Sequence, residues 1–149
     1  MDNKYFEYAF KCAEKAFSLN EVPIGAVIVK DNVIISTGYN KKESSNSVLD
    51  HAEIIAIKKA ERKLNNWRLD GCELYVTLDP CPMCASAIKQ SRIKTVYSAL
   101  SNSDDNNLSI IESIFKGDNI NPEVKLYTNL AVDKSKKLLS SFFKIQRMK

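Results

Sequence analysis

The chain's only histidine, His51, stands two residues before Glu53. Two of its four cysteines, Cys81 and Cys84, lie further along, with Pro80 and Pro82 flanking the first of them. One imidazole and two thiolates make a three-ligand zinc set with one coordination position left for water. Structural zinc sites close all four positions, whereas catalytic sites keep one open. To serve one ion, residues 48–54 and 79–84 must converge, and few folds bring two such separated segments together. That requirement constrains the chain more than any other feature of its sequence.

Hydrophobic periodicity supplies the elements around these segments. Phe6, Ala9, Phe10, Ala13, Ala16 and Phe17 recur at helical spacing over residues 3–18, with Asp2 or Asn3 as cap and Cys12 as a small buried filler. Pro23 closes the connection, and residues 24–29 and 33–39 read as the strands of a hairpin turned at Asp31-Asn32. The polar run 40–47 is a surface loop. A helix over 51–64 carries Ile54, Ile57, Ala60 and Leu64 on one stripe, widened by Ile55 and Ala56. Residues 68–71 form a turn and 73–78 a third strand. Pro82 suits a first helical position, where no N–H is needed, so the cysteine pair opens a helix over 82–90. Residues 93–97 form a fourth strand, 102–107 a polar loop, 108–115 a short helix ending near Gly117, and 124–127 a fifth strand. The last helix, 131–147, turns Leu138, Leu139, Phe142 and Ile145 inward.

The order α-β-β-α-β-α-β-α-β-α predicts one domain over residues 1–149, an α/β fold of three layers (α/β/α) with a mixed five-stranded sheet. The hairpin is antiparallel, and strands separated by helices pair in parallel through right-handed crossovers. With 149 residues, 44% hydrophobic and 27% charged, the chain has the composition of a globular protein with a sizeable core. It has no run near the ~20 apolar residues a membrane helix needs, and its start lacks the basic-then-apolar design of a signal peptide. A cytoplasmic protein is expected, in which cysteines bind metal or catalyse more often than they pair. The net charge of +4 gathers at Lys58, Lys59, Arg62, Lys63 and Arg68, and again at Lys134, Lys136, Lys137, Lys144, Arg147 and Lys149. Such runs are solvated helix faces or a surface for nucleic acid.

Both donor segments fall at helix starts, whose partial positive charge favours thiolate over thiol. Residues three apart on a helix lie side by side, so Cys81 and Cys84 can clasp one ion, while His51 arrives from the neighbouring helix. Two thiolates neutralise Zn2+, so water bound there is less acidic than on an all-histidine site, and a nearby base is useful. Glu53 is the carboxylate placed to shuttle that proton, not a ligand. Other roles compete for the same residues. A lone Cys-x-x-Cys after a strand can be a redox dithiol, although the histidine then has no use. Cys72 could close a structural zinc site, although a thiol before an apolar strand suits the core. Glu53 could simply be a helix-start charge.

His51-x-Glu53 followed by Pro80-Cys81-x-x-Cys84 is the signature of zinc deaminases that act on nucleobases. The chain resembles the cytidine deaminase superfamily, and the helix that makes the fourth and fifth strands parallel is similar to the branch acting on bases in polynucleotides. It most resembles bacterial tRNA-specific adenosine deaminases, in residues 22–27, 38–40, 51–57, 67–69 and on to 93, and in Phe142-Phe143-Lys144 with Arg147. The resemblance implies one zinc per subunit on His51, Cys81 and Cys84, with Glu53 as general acid and base. It also implies Asn40 hydrogen-bonded to the target base, the Ala52 N–H orienting it, and Val22 with the His51 ring flanking it. An asparagine after Gly38-Tyr39 is otherwise an ordinary turn residue. The implied partner is a tRNA anticodon stem-loop, whose wobble adenosine becomes inosine with release of ammonia. The implied assembly is a homodimer.

The chain departs from that family in one stretch. After the fourth strand the family has Gly-Ala, an acidic residue, a lysine and glycines, whereas residues 98–107 here read SALSNSDDNN. Ser101 and Ser103 replace the acidic and basic positions, Asp104 and Asp105 would repel phosphate unless turned away, and Asp50 replaces the small residue before His51. Two other functions therefore stay open. One is the same reaction on a free base such as guanine or cytosine, a nucleoside or another nucleic acid. The other is an RNA-binding or structural zinc module without activity, against which Glu53 argues.

Overall fold

The computed structural model describes residues 3–102 and 105–149. Among them, five strands form one sheet in the order β2-β1-β3-β4-β5: β1 (Gly25–Lys30), β2 (Val33–Tyr39), β3 (Cys72–Val76), β4 (Thr95–Ser98) and β5 (Lys125–Tyr127). The helices are α1 (Asn3–Ser18), α2 (Ala52–Leu64), α3 (Pro82–Gln90), α4 (Asp105–Phe115) and α5 (Val132–Arg147). Asp31 and Asn32 both hold positive φ, 51° and 64°, which a type I′ hairpin turn requires. The pairs β3·β4 and β4·β5 are parallel, as the crossover rule predicts. β2 and β3 point the same way but do not touch, because β1 lies between them and pairs antiparallel with both.

Side chains alternate across the sheet and sort the helices into two outer layers. Ala26, Ile28, Leu74, Val76 and Val96 face one side, where they meet Ala52, Ala56 and Ile57 of α2, Ala85 and Ile88 of α3, and Ile111 and Phe115 of α4. Val27, Val29 and Tyr75 face the other, where they meet Tyr5, Phe6, Ala9 and Phe10 of α1, with Leu138 of α5 at the margin. Two glycines let the helices close on the hairpin. A Cβ on Gly25 would stand 2.0 Å from the Ala9 oxygen and 2.6 Å from the Ala13 nitrogen. One on Gly38 would stand 2.3 Å from the Ala52 oxygen. Both obstacles are backbone and cannot swing aside.

Three expectations need correction. The polar stretch 102–107 is not all loop, since α4 already begins at Asp105. Asn106 and Asn107 fall in its first turn, where asparagine costs less than in a helix interior. Ile145 is 43% exposed rather than inward: α5 turns Ser135 and Phe142 to the core, and Ile145 falls off that stripe. Cys12 is only half-buried. Asp2, Ser103 and Asp104 lie outside the described residues.

Gly25→Ala is expected to lower the unfolding free energy by about 2 kcal/mol or more, at the upper end of overpacking costs. Urea denaturation followed by circular dichroism measures it, and an unchanged midpoint would mean that α1 does not sit this close.

Candidate active site

The starts of α2 and α3 meet beyond the carboxyl ends of β2, β3 and β4, where open α/β sheets place their crevices. His51 is the N-cap of α2 (φ −77°, ψ 155°) and Cys81 the N-cap of α3 (φ −74°, ψ 170°). Both backbones are extended, and neither side chain caps its own helix. Each is therefore free to point across to the other. Pro82 fixes the first turn of α3, so Cys84 follows on the same face as Cys81. His51 Nδ1 lies 3.6 Å from Cys81 Sγ and 3.5 Å from Cys84 Sγ, and all three donor atoms fall within 4.8 Å of one another. A tetrahedral zinc with Zn–S near 2.3 Å and Zn–N near 2.05 Å needs its nitrogen and sulfur ligands roughly 3.5 Å apart. The donor set fits that ion.

The thiols share a proton unequally. A hydrogen bond from Cys84 and the α3 amides bring Cys81 down to about 5, despite partial burial. The same bond, and burial, push Cys84 far up. Glu53, in the first turn of α2, is 4% exposed, and burial pushes its carboxyl up to about 7. That shift is in the direction a proton shuttle needs. Cys72 is fully buried, its Sγ is 3.9 Å from the Asp70 oxygen, and it does not belong to the donor group.

A cavity of about 260 Å³ opens in front of these groups. That is slightly below the ~300–1,000 Å³ of pockets for drug-sized ligands, so it has room for one small ring system. His51, Ala52, Glu53 and Cys81 form one wall and Val22, Ile24 and Asn40 another. Of the residues that the resemblance assigns to the site, Cys84 alone does not line it; it is buried with its Sγ turned to His51. Ala52 is the first residue of α2, where an N–H has no acceptor within the helix. Asn40 makes the bonds of a turn residue and also faces the cavity. Its Oδ1 accepts from the Lys42 N–H (3.1 Å) as in an Asx turn, its Nδ2 donates to the Val22 oxygen (3.4 Å), and it lines the cavity.

Sequence reasoning missed Ile24, Lys42, Leu78 and Asp79 in this lining, and did not foresee that Asn102 and Asn107 reach it. Asp79 carried a signal, as an acid two residues before Cys81. It is 5% exposed, with one carboxylate oxygen accepting from Thr128 Oγ1 at 2.7 Å, which ties the end of β3 to the end of β5.

The profile of the MafB19-like deaminase family matches residues 1–147. A tRNA-specific adenosine deaminase of Aquifex aeolicus is 42% identical over 146 residues, 97% of this chain and 95% of that one. Among solved structures, a chain from work on A-to-I editing by tRNA:A34 deaminases at the wobble position has a TM-score of 0.84 and 34% identity, covering 93% of this chain and 100% of its own. Guanine deaminase of Bacillus subtilis is 32% identical with a TM-score of 0.66, covering 99% and 95%.

Cys84→Ser is expected to abolish stoichiometric metal binding and Cys72→Ser to leave it intact, as read by elemental analysis of the purified variants. Loss of metal from Cys72→Ser would support a closed structural site.

Proposed function

The chain belongs to the family of tRNA-specific adenosine deaminases, and we propose that it hydrolyses the wobble adenosine, A34, of a tRNA anticodon to inosine with release of ammonia. The observation that carries this reading is the buried Glu53 beside the His51, Cys81 and Cys84 donor set, at the wall of a cavity sized for one base. One zinc per subunit is assigned to the three donors; when bound, it supplies the Lewis acidity that makes water nucleophilic at neutral pH.

The chain's own residues do the rest. The adenine, swung out of the anticodon loop, enters the cavity because its C6 is out of reach in a stacked strand. Asn40 Nδ2 has a second N–H to offer the base, the Ala52 N–H fixes its orientation, and Val22 and the His51 ring flank its faces. Glu53 takes a proton from the attacking water as oxygen adds to C6. That proton passes to N1; Glu53 then moves the proton of the new C6 hydroxyl to the amino nitrogen, the C6–N bond breaks as C6=O forms, and ammonia leaves. Water and adenosine are thereby converted to ammonia and inosine. The basic residues of α5 and the chain end, Lys134, Lys136, Lys137, Lys144, Arg147 and Lys149, are all exposed and suit phosphate contact. The same reading makes the protein a cytoplasmic homodimer; among the described residues, no helix is long and apolar enough to cross a membrane.

A free base is the second reading. It draws on the likeness to the Bacillus guanine deaminase and on the altered stretch 98–107, which brings Asn102 and Asn107 to the cavity. An A34-containing tRNA-Arg stem-loop, incubated beside adenosine, guanine, cytosine and single-stranded DNA, decides between them. Inosine at position 34, identified by nuclease digestion and mass spectrometry, is the expected product. Ammonia from a free base with the stem-loop intact would reverse the assignment. Glu53→Ala is expected to lower kcat by about 10²–10⁴-fold with metal content unchanged; full activity in that variant would rule out the proton shuttle.

A further inference from the structure

The loop that carries Asn40 is held from behind by a carboxylate that the proposed chemistry does not use. Glu21, between α1 and β1, is 1% exposed. One of its oxygens accepts from the Glu43 N–H at 3.0 Å and the other from the Ser44 N–H at 2.6 Å. Burial acts to raise this carboxyl, and the bonds from Glu43 and Ser44 outweigh it, leaving it below the ordinary value. Residues 41–45 make a single helical turn, closed by Ser45 N donating to the Lys41 oxygen at 2.9 Å. Amides at the start of such a turn have no acceptor within it. Glu21 supplies one from 22 residues away.

The neighbouring bonds run to Asn40 itself. Its N–H donates to the Ile24 oxygen at 3.1 Å, its Nδ2 to the Val22 oxygen at 3.4 Å, and its Oδ1 receives the Lys42 N–H at 3.1 Å. Residues 21–24 and 40–44 are thus joined along their length, with Glu21 at the far end and the cavity at the near one. The geometry points to Glu21 as a positioning residue for Asn40: clamping the 41–45 turn fixes the carboxamide, so that one Nδ2 hydrogen is held by Val22 and the other is left for the substrate base. This inference rests on the reading of the cavity as a base pocket.

Glu21→Gln on the full chain tests it, because the amide side chain keeps the shape but cannot accept from both backbone N–H groups. Hydrogen exchange followed by NMR needs no substrate. The Glu43, Ser44 and Lys42 amides are expected to lose protection together. Loss at Glu43 and Ser44 with Lys42 unchanged would overturn the proposal, since the Asn40 carboxamide would then hold its place without Glu21. In kinetics on the stem-loop, Glu21→Gln is expected to lower kcat/KM about tenfold or more with metal content unchanged. Added to Asn40→Ala it should cost nothing further, because both changes remove the same interaction. A full additional loss in that background would show that Glu21 acts elsewhere. If Glu21→Gln does not fold, Glu21→Asp, which keeps the charge and shortens the reach, is read the same way. A wild-type chain inactive on the stem-loop would refute the proposed function, while the exchange pattern would still decide the role of Glu21.

Discussion

Two helices that start side by side set the terms for the whole site. A helix start is where backbone amides lack partners and the dipole is positive, so negative charge is welcome there. Placing His51 and Cys81 as the N-caps of α2 and α3 puts an imidazole and a pair of thiols at two such ends at once. The sheet makes this possible by keeping β1 and β3 adjacent, so that the helices following β2 and β3 lie next to each other on one face. Gly38 contributes directly: with no Cβ there, α2 can lie against β2, and its first turn can reach the level of α3.

Much of this arrangement was legible in the sequence because the elements carry local signals that agree with the tertiary structure. Pro82 marks the start of α3, Asp31-Asn32 the hairpin, and the apolar stripe of α2 its buried face. The donor residues were legible because few other roles use one histidine and a closely spaced cysteine pair in this way. What local signals could not supply was distance. Nothing near Glu21 in the chain indicates that its carboxylate ends on the amides of Glu43 and Ser44, and nothing near Asp79 indicates Thr128. The start of α4 was misread for a related reason. Asp and Asn favour loops on their own, yet asparagine costs less in a first turn than in a helix interior. Ile145 was placed inward by period alone, but the core contact of α5 is narrower than its apolar stripe.

The chemistry and the substrate rest on different parts of the chain. Glu53 and the donor set come from two rigid helix starts, which suits groups that must be held within fractions of an ångström. Much of the rest of the cavity comes from loops: Val22 before β1, Asn40 after β2, Leu78 and Asp79 after β3, and Asn102 before α4, with Asn107 added from the first turn of α4. Related deaminases can therefore keep the reaction while loops retune what enters. Of the departures in this chain, Asn102 and Asn107 belong to that lining.

The central claim is that three donors, two sulfur and one nitrogen, hold one zinc and leave a position for water. X-ray absorption at the zinc edge of the zinc-loaded protein tests it most directly. Two sulfur scatterers at about 2.3 Å with two nitrogen or oxygen scatterers at about 2.0–2.1 Å are predicted. A shell of three or more sulfurs would mean that a further cysteine closes the site, and would contradict the account.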